Sequence, residues 1–337
     1  MSMEIRPFDA ATASERELSE YHLASAAAWR VDFPEEPPAG YEATVGRLRT
    51  PWPHEGRCRY WAAYVDGVLV GLGRLALQDG ENSGIAQVTV TVHPEYRRRG
   101  IGTAVLRAVL PAVRETGRPT VTGEAMKSGS PGDLWAARFG FRAVNRTAIM
   151  MLMVDETEPE RWDVPVPAGY RLAGWVGTAP EELIEAYAAA REAVQDAPMG
   201  ESSIQIVRWD AERIRREERE LADQGAEERV VVAVHEASGE IAGVTGLLTY
   251  AYRPDKSYVN DTSVVRAHRG HGLGRALKAA MTRQVLRERP QVRRIVTSNN
   301  EDNVHMIAVN EAIGYQVLRR LIWVETTADG LTGALSR

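Results

Sequence analysis

The chain has a single cysteine, Cys58, in 337 residues. A lone thiol excludes an intramolecular disulfide framework and a thiolate zinc cluster, and it fits a reducing compartment. Long apolar runs are missing, and the opening Met1-Ser2-Met3-Glu4-Ile5-Arg6 lacks the apolar core of a secretion signal. Neither a membrane-spanning helix nor a membrane partner is therefore expected, and the chain reads as cytoplasmic. Positive charge is not in excess either: 41 Lys and Arg stand against 46 Asp and Glu, a net charge of −5. That leaves no chain-wide basic footprint for nucleic acid. The 7 histidines are scattered apart from His268 and His271, which have no carboxylate or thiolate beside them. No metal site is expected.

What the sequence does have is one glycine-rich turn, written twice. The first copy is Arg97-Arg98-Arg99-Gly100-Ile101-Gly102, and the second is Arg269-Gly270-His271-Gly272-Leu273-Gly274. Each follows a β-branched run, Val88–Val92 or Thr262–Val265, and each opens an apolar segment of helical spacing, from Thr103 or Arg275 onward. Glycines let backbone approach a ligand closely and take positive φ. Successive N–H groups at a helix start, backed by the helix dipole, make an anion site. Arginines add charge-assisted donors. A phosphate or pyrophosphate is the expected guest. The turn is not a P-loop, because Gly-Lys-Ser/Thr is absent, and Arg275 stands where a dinucleotide fingerprint has its third glycine.

Strand, Arg-x-x-Gly-x-Gly turn and helix, twice over, resemble the coenzyme A turn of the GNAT superfamily, the acyl-CoA-dependent N-acyltransferases. The likeness runs over nearly the whole chain as a tandem pair. It implies two α/β (α+β) domains, each a mixed, mostly antiparallel sheet flanked by helices. It also implies acetyl-CoA as cosubstrate without a metal, and a small-molecule amine as acceptor. Oligomeric state stays open.

The rest of the chain is read in the same frame. Expected strands and helices of the first half are Glu4–Phe8, helix Glu15–Val31, and helix Tyr41–Leu48 stopped by Pro51 and Pro53. A hairpin follows, Tyr60–Tyr64 and Val68–Leu77 about Asp66-Gly67, then strand Ala86–Val92, helix Thr103–Val113, strand Thr120–Glu124, helix Asp133–Phe139 and strand Thr147–Asp155. Pro159, Pro165 and Pro167 mark a linker, so the domains are expected at 1–158 and 168–337. The second half repeats the order: strand Tyr170–Leu172, helices Pro180–Val194 and Ser203–Asp223, and a hairpin Glu228–His235 and Glu240–Tyr250. Then come strand Ser257–Val265, helix Leu273–Arg287, strand Arg293–Thr297, helix Val304–Ile313 and strand Val317–Glu325. The arginines and glutamates of 208–219 read most simply as a solvated helix face.

The resemblance also assigns site residues. Val264, Val265 and Arg266 in the second copy, with Val90 and Val92 in the first, are the expected strand edges for the thioester arm. Arg269, Gly270, His271, Gly272, Leu273, Gly274 and Arg275 are the expected pyrophosphate cradle. Arg97, Arg98, Arg99, Gly100, Ile101, Gly102 and Thr103 repeat it in the first copy. The family's second motif, Asn-x-x-Ala then Tyr then Gly-Phe, is partly kept at Asn303, with Met306 for the alanine, Asn310 at the tyrosine and Gly314-Tyr315 at the end. In the first copy Gly129 replaces the asparagine and Ala136 the tyrosine. The C-terminal copy is thus the expected catalytic one, the alternatives being that both are active or that the N-terminal one is. Asp261 is the candidate base, or else a turn or bulge residue bonding its own backbone; Tyr258 stands where many relatives carry a glutamate base, and Asn310 where they carry the general acid. Asn299 and Asn303 either touch substrate or cap a loop. Glu124 is the acidic candidate of the first copy, or a structural ion pair. His271 contacts phosphate or is a solvated turn residue. A non-catalytic acyl-CoA-binding or sensing protein is the alternative to an enzyme.

Overall fold

The structure, a computed structural model, describes residues 2–52 and 55–336; Met1, Pro53, His54 and Arg337 lie outside it. In chain order the elements are β1 (Met3–Phe8), α1 (Glu15–Asp32), α2 (Tyr41–Arg49), β2 (Arg57–Val65), β3 (Val68–Leu77), β4 (Ile85–Val92), α3 (Ile101–Glu115), β5 (Thr120–Met126), α4 (Pro131–Ala137) and β6 (Arg142–Met153). The second series is β7 (Tyr170–Val176), α5 (Ile184–Arg191), α6 (Ala211–Asp223), β8 (Ala226–His235), β9 (Ile241–Tyr250), β10 (Lys256–Val264), α7 (Leu273–Glu288), β11 (Arg294–Asn300), α8 (Val304–Ala312), β12 (Gln316–Thr327) and α9 (Ala328–Leu335).

Local chemistry accounts for most boundaries. Ser14 and Glu17 form a reciprocal capping box that starts α1. Asp66 and Gly67 both take positive φ, 49° and 82°, as the β2–β3 hairpin turn requires. Pro111 lies inside α3, which nevertheless runs on to Glu115.

Three segments differ from the sequence expectation. The helix expected over Ser203–Asp223 begins only at Ala211, where the Asp210 carboxylate accepts from Arg213 N at 2.7 Å. Upstream, Ser203 N and Oγ donate to the Glu325 carboxylate at 2.8 and 2.7 Å, which holds this stretch out of the helix. The helix expected over Pro180–Val194 is α-helical only as α5, with tight helical turns at Glu181–Leu183 and Glu192–Asp196. Helix α9 has no counterpart in the expectation.

The chain divides into two compact units. Unit 1 is Met1–Asn145, Glu201–Gln205 and Leu321–Arg337, and unit 2 is Arg146–Gly200 and Ile206–Arg320. They differ from the sequence halves 1–158 and 168–337 in their final strands. Within unit 1 the order is β1-β2-β3-β4-β5-β12, with β12 antiparallel to β5. Within unit 2 it is β6-β11-β10-β9-β8-β7, with β6 antiparallel to β11. Each unit therefore takes its last strand from the other half of the sequence. Only β4–β5 and β10–β11 are parallel among these pairs; the rest are antiparallel.

In unit 1, α3 lies on the sheet through Ile101, Val105 and Val109, all buried. Close approach depends on glycine: a Cβ at Gly71 would come 2.9 Å from Ile101 Cγ2, and one at Gly73 2.8 Å from Val105 Cγ1. In unit 2, α7 buries Leu273, Leu277, Met281 and Val285 in the same role. It also buries Lys278, whose Nζ lies 5.1 Å over the Tyr315 ring.

Burial lowers the Lys278 ammonium from 10.5 to about 7. The unfolded chain then binds more protons than the folded one between about pH 7 and 10.5, so stability rises with pH across that window. Lys278→Met is expected to stabilise the fold by on the order of 2 kcal/mol at pH 6. The gain should vanish near pH 10.5, as read by urea titration at both pH values. Equal gains at both ends would contradict a charge-burial cause.

Candidate active site

The site of unit 2 starts from a pair of strands that part. β10 pairs in parallel with β11 only over Lys256–Tyr258, opposite Arg294–Val296. On its other side it stays paired with β9 as far as Val264. The edge Val259–Val264 therefore has no β11 partner, and its backbone groups are available to a ligand. Tyr258 sits at the vertex of this fork. The edge is also bulged. Val259 faces Leu247 and Thr262 faces Thr245, so one extra residue is carried at Asn260-Asp261. Thr245 Oγ1 satisfies the bulge by donating to Asp261 O at 3.2 Å.

Beyond Val264 the chain makes the glycine turn. Val265 and Arg266 have left the strand; Val265 N donates to Ala242 O, and Arg266 opens a short helical turn to His268. Arg269 is folded back, with Nε donating to Val264 O at 2.9 Å and Nη2 to Asp196 Oδ2 at 2.7 Å. Arg266 donates to the other oxygen of Asp196 at 3.2 Å. Gly270 and Gly272 take φ of 82° and 81°, and a Cβ on either would meet nothing within 4 Å. Space above the turn is open. Gly274 packs toward Val264 and Val309. No side chain caps α7, so its first N–H groups face the turn. Leu273 is buried, and Arg275 is exposed on the first helical turn. His271 Nδ1 donates to His268 O at 3.2 Å, and His268 Nδ1 meets the Tyr170 hydroxyl at 2.9 Å.

The second motif is structural in its contacts. Asn303 is the N-cap of α8, its Oδ1 accepting from Met306 N at 3.2 Å. Asn310 is fully buried, and its amide donates to Asn299 Oδ1 at 2.7 Å.

Four charged groups meet beside the β10 bulge, and sequence reading singled out only one of them. Asp261 Oδ2 accepts from Arg191 Nη2 at 3.0 Å. Arg191 Nη1 donates to Glu217 Oε2 at 3.0 Å. Its guanidinium is buried and stacked 3.2 Å from the centre of the Trp209 ring. Glu228, on β8, accepts from Asn260 Nδ2 at 2.9 Å. Burial pushes the Glu228 carboxyl up to about 7, with Glu217 and Asp261 adding to the rise and Arg191 and Asn260 opposing it. Gly246 leaves it room: a Cβ there would lie 3.2 Å from Glu228 Oε1.

Unit 1 repeats the frame with different chemistry. β4 pairs with β5 over Ile85–Gln87 only, so Val90 and Val92 lie on an open edge. That edge has no bulge: its register with β3 is continuous from Gly71–Val92 to Leu77–Ala86. Arg97 copies Arg269, donating from Nε to Val92 O at 3.0 Å and pairing both terminal nitrogens with Asp32. Arg98 holds φ of 64° where the second copy has Gly270. Arg99 Nη2 donates to Glu95 O at 2.9 Å. Gly100 takes φ of 80° and starts α3, with Ile101 buried and Gly102 against Val92 and Trp135. Thr103 Oγ1 accepts from Trp135 Nε1 at 3.2 Å. On the face matching Glu228, however, Arg74 stands in place of Gly246 and Thr89 in place of Asp261. Arg74 and Arg47 both pair with Glu55, which is held down at about 2, and Arg74 reaches Glu124 at 3.7 Å. Burial raises the Glu124 carboxyl above its ordinary value.

Comparison with known proteins decides the family. The family model described as acetyltransferase (GNAT) family matches residues 26–141 and again 191–315. The chain belongs to the GNAT acetyltransferase family. It is an acyl-CoA-dependent acetyltransferase with two GNAT repeats. The mycothiol acetyltransferase of Salinispora arenicola (strain CNS-205) is 29% identical over 286 residues, 81% of this chain and 82% of that protein. A tandem GNAT protein from the clavulanic acid biosynthesis pathway, solved without AcCoA, is 30% identical with a TM-score of 0.79, covering 97% of this chain and 99% of that one. A GCN5-related N-acetyltransferase from Sphaerobacter thermophilus, 20% identical with a TM-score of 0.73 over 97% and 96% of the two chains, shares the fold. Among the described residues no group of three or more His, Cys, Asp or Glu is placed to hold a metal ion, and no helix of the GNAT chain is long and apolar enough to cross a membrane.

The Arg269–Asp196 clamp braces the turn from outside. Asp196→Asn is expected to speed amide exchange at the Val265, His268 and Ala276 N–H groups, with little change at β8 or β9. Unchanged exchange at the turn would remove the clamp from its bracing role.

Proposed function

We propose that this GNAT protein transfers an acetyl group from acetyl-CoA to a primary amine of a small molecule, with the chemistry in unit 2. The observation that carries this reading is the buried carboxyl of Glu228, held by Asn260 on the open, bulged edge of β10. The relatives named for mycothiol acetylation and for clavulanic acid biosynthesis support a small-molecule acceptor. A chain with one cysteine that draws on acetyl-CoA fits the cytoplasm.

The residues present suit the coenzyme. Open space over Gly270 and Gly272, with the uncapped start of α7, suits a pyrophosphate; Leu273, Gly274 and Arg275 would present the first helical N–H groups. His271 and Arg275 supply side-chain donors at the same end. Arg269 shapes the turn instead, because its guanidinium is already shared between Val264 and Asp196. The free edge Val259–Val264 would hold an extended arm by backbone hydrogen bonds, and one of its N–H groups would polarise the carbonyl. When bound, acetyl-CoA supplies the thioester carbonyl carbon that the amine attacks.

Glu228 is the base in this reading, in preference to Asp261. An incoming amine arrives as ammonium and must lose a proton before it is a nucleophile. A carboxyl poised near neutrality accepts that proton without holding it too tightly. Asp261 is already bound to a buried guanidinium, and it shapes the charge around Glu228. Neither Asn310, a buried carboxamide, nor Asn303, a helix cap, carries a proton to give the leaving thiolate. Unit 1 keeps an open turn and strand edge, and we assign it coenzyme binding without turnover. There Arg74 stands in place of Gly246 and is bound to Glu55 and near Glu124.

Glu228→Gln is expected to lower kcat/KM about 100-fold or more and to remove the rising limb of its pH profile near pH 7. Assayed as thiol release from acetyl-CoA with an amine panel, a wild-type profile in this variant would exclude Glu228 as base. Gly272→Glu is expected to abolish turnover, while Gly100→Glu in unit 1 keeps most of it. The reverse pattern in folded proteins would move the chemistry to unit 1. Tight acetyl-CoA binding without turnover on any amine would favour a sensing protein.

A further inference from the structure

We propose that Arg191 sets the order in which the acceptor-side carboxyls take up a proton, fixing Asp261 and Glu217 as anions so that Glu228 alone exchanges it. This rests on the reading of Glu228 as base. Arg191 ends α5, is 2% exposed, and divides its fork between Glu217 on α6 and Asp261 in the β10 bulge, 3.0 Å each. A guanidinium is rigid and does not lose its proton in a protein. Stacking on Trp209 and the Tyr187 ring 5.7 Å away leave it one orientation. Each of its two partners receives a charge-assisted hydrogen bond. Glu228 receives only the neutral amide of Asn260.

The charge count then decides which group titrates. One buried cation against two anions leaves the cluster at −1. Ionising Glu228, itself buried, takes it to −2, which is costly. Asp261 and Glu217 each accept a charge-assisted hydrogen bond from the buried Arg191 guanidinium, and Glu228 has none. The proton therefore goes to Glu228. An ammonium brought alongside offsets the extra negative charge, so the site favours ionised Glu228 when the acceptor is bound and receives its proton when the amine is consumed. The charged and titratable groups set against Glu228 are Tyr187 and Arg191 from α5, Glu217 from α6 and Asp261 from β10; on β9, Gly246 lies beside it and Leu248 is its strand partner, with Tyr250 one pair further along the same face. The raised Glu228 carboxyl agrees with this order. Arg191 acts through its neighbours and is a positioning residue.

The test is carboxyl titration by NMR on the full chain, with side-chain 13C-labelled Glu and Asp. The Glu228 signal is the one missing from Glu228→Gln. Arg191→Met should move that titration up by about 1–3 pH units, or bring a second carboxyl into titration above pH 5, and the acid limb of kcat/KM should follow. Arg191→Lys keeps the charge and should restore most of the wild-type profile. Glu217→Gln removes a competing anion and should lower the Glu228 titration, so the proposal stays testable if Arg191→Met does not fold. If Glu228 titrates as in wild type in every folded variant, the proposal is overturned. If these titrations shift as expected but Glu228→Gln keeps full activity, the charge order stands and the base assignment fails.

Discussion

A β-sheet is stable because every backbone N–H and C=O on an interior strand has a partner. The parallel pair β10–β11 breaks that condition after three residues, at Tyr258 and Val296. A row of polar backbone groups is left in the middle of a sheet, where water alone would satisfy it and an extended ligand does so better. The glycine turn stands where this row ends, and α7 begins there without a side-chain cap. The bulge at Asn260-Asp261 turns the same edge so that Asn260 reaches Glu228. Fork, turn and bulge are thus one device: a strand paired on one side only.

The duplication shows what that device needs beyond geometry. Both units part their parallel strands at the same place and fold an arginine back over the last strand residue, Arg97 onto Val92 and Arg269 onto Val264. They differ in the charge set against the fork. Unit 2 has a glycine beside a buried carboxyl that accepts from an amide; unit 1 has Arg74 bound to Glu55 and near Glu124. Glu55, bound by two guanidinium groups, is held in its charged state, and a proton-transfer site needs an acid that is not. The two units thus share a scaffold and differ in the side chains set on it, and a shared fold does not by itself carry a shared activity.

The Asp66-Gly67 hairpin and the two glycine turns at Gly100 and Gly272 were legible because each is set within a few residues. Helix α6 was overextended because Ser203 is held by Glu325, a partner 122 positions away that no local pattern announces. For the same reason β6 and β12 were assigned to their own halves: alternation shows that a strand exists, not which sheet it joins. The phosphate turn was readable as a motif. Glu228 was not, because the groups around it, Arg191, Glu217 and the adjacent Asn260 and Asp261, come from three other runs of sequence. Glu217 sat within an Arg- and Glu-rich stretch that reads as solvated surface. One signal was available. Set side by side, the two copies place Arg74 against Gly246 and Thr89 against Asp261, a reversal of charge inside an otherwise matching frame.

The allocation of final strands bears on how the chain is made. Synthesis delivers residues 1–145 first, yet β5 has its antiparallel partner β12 only once residue 327 is available. Roughly 200 residues separate the two, about 10–40 s of translation at ordinary rates. During that time the β5 edge lies bare on a nascent chain, in the company of other ribosomes' products, and bare strand edges recruit strangers. A protein arranged in this way completes the sheet of its first half last.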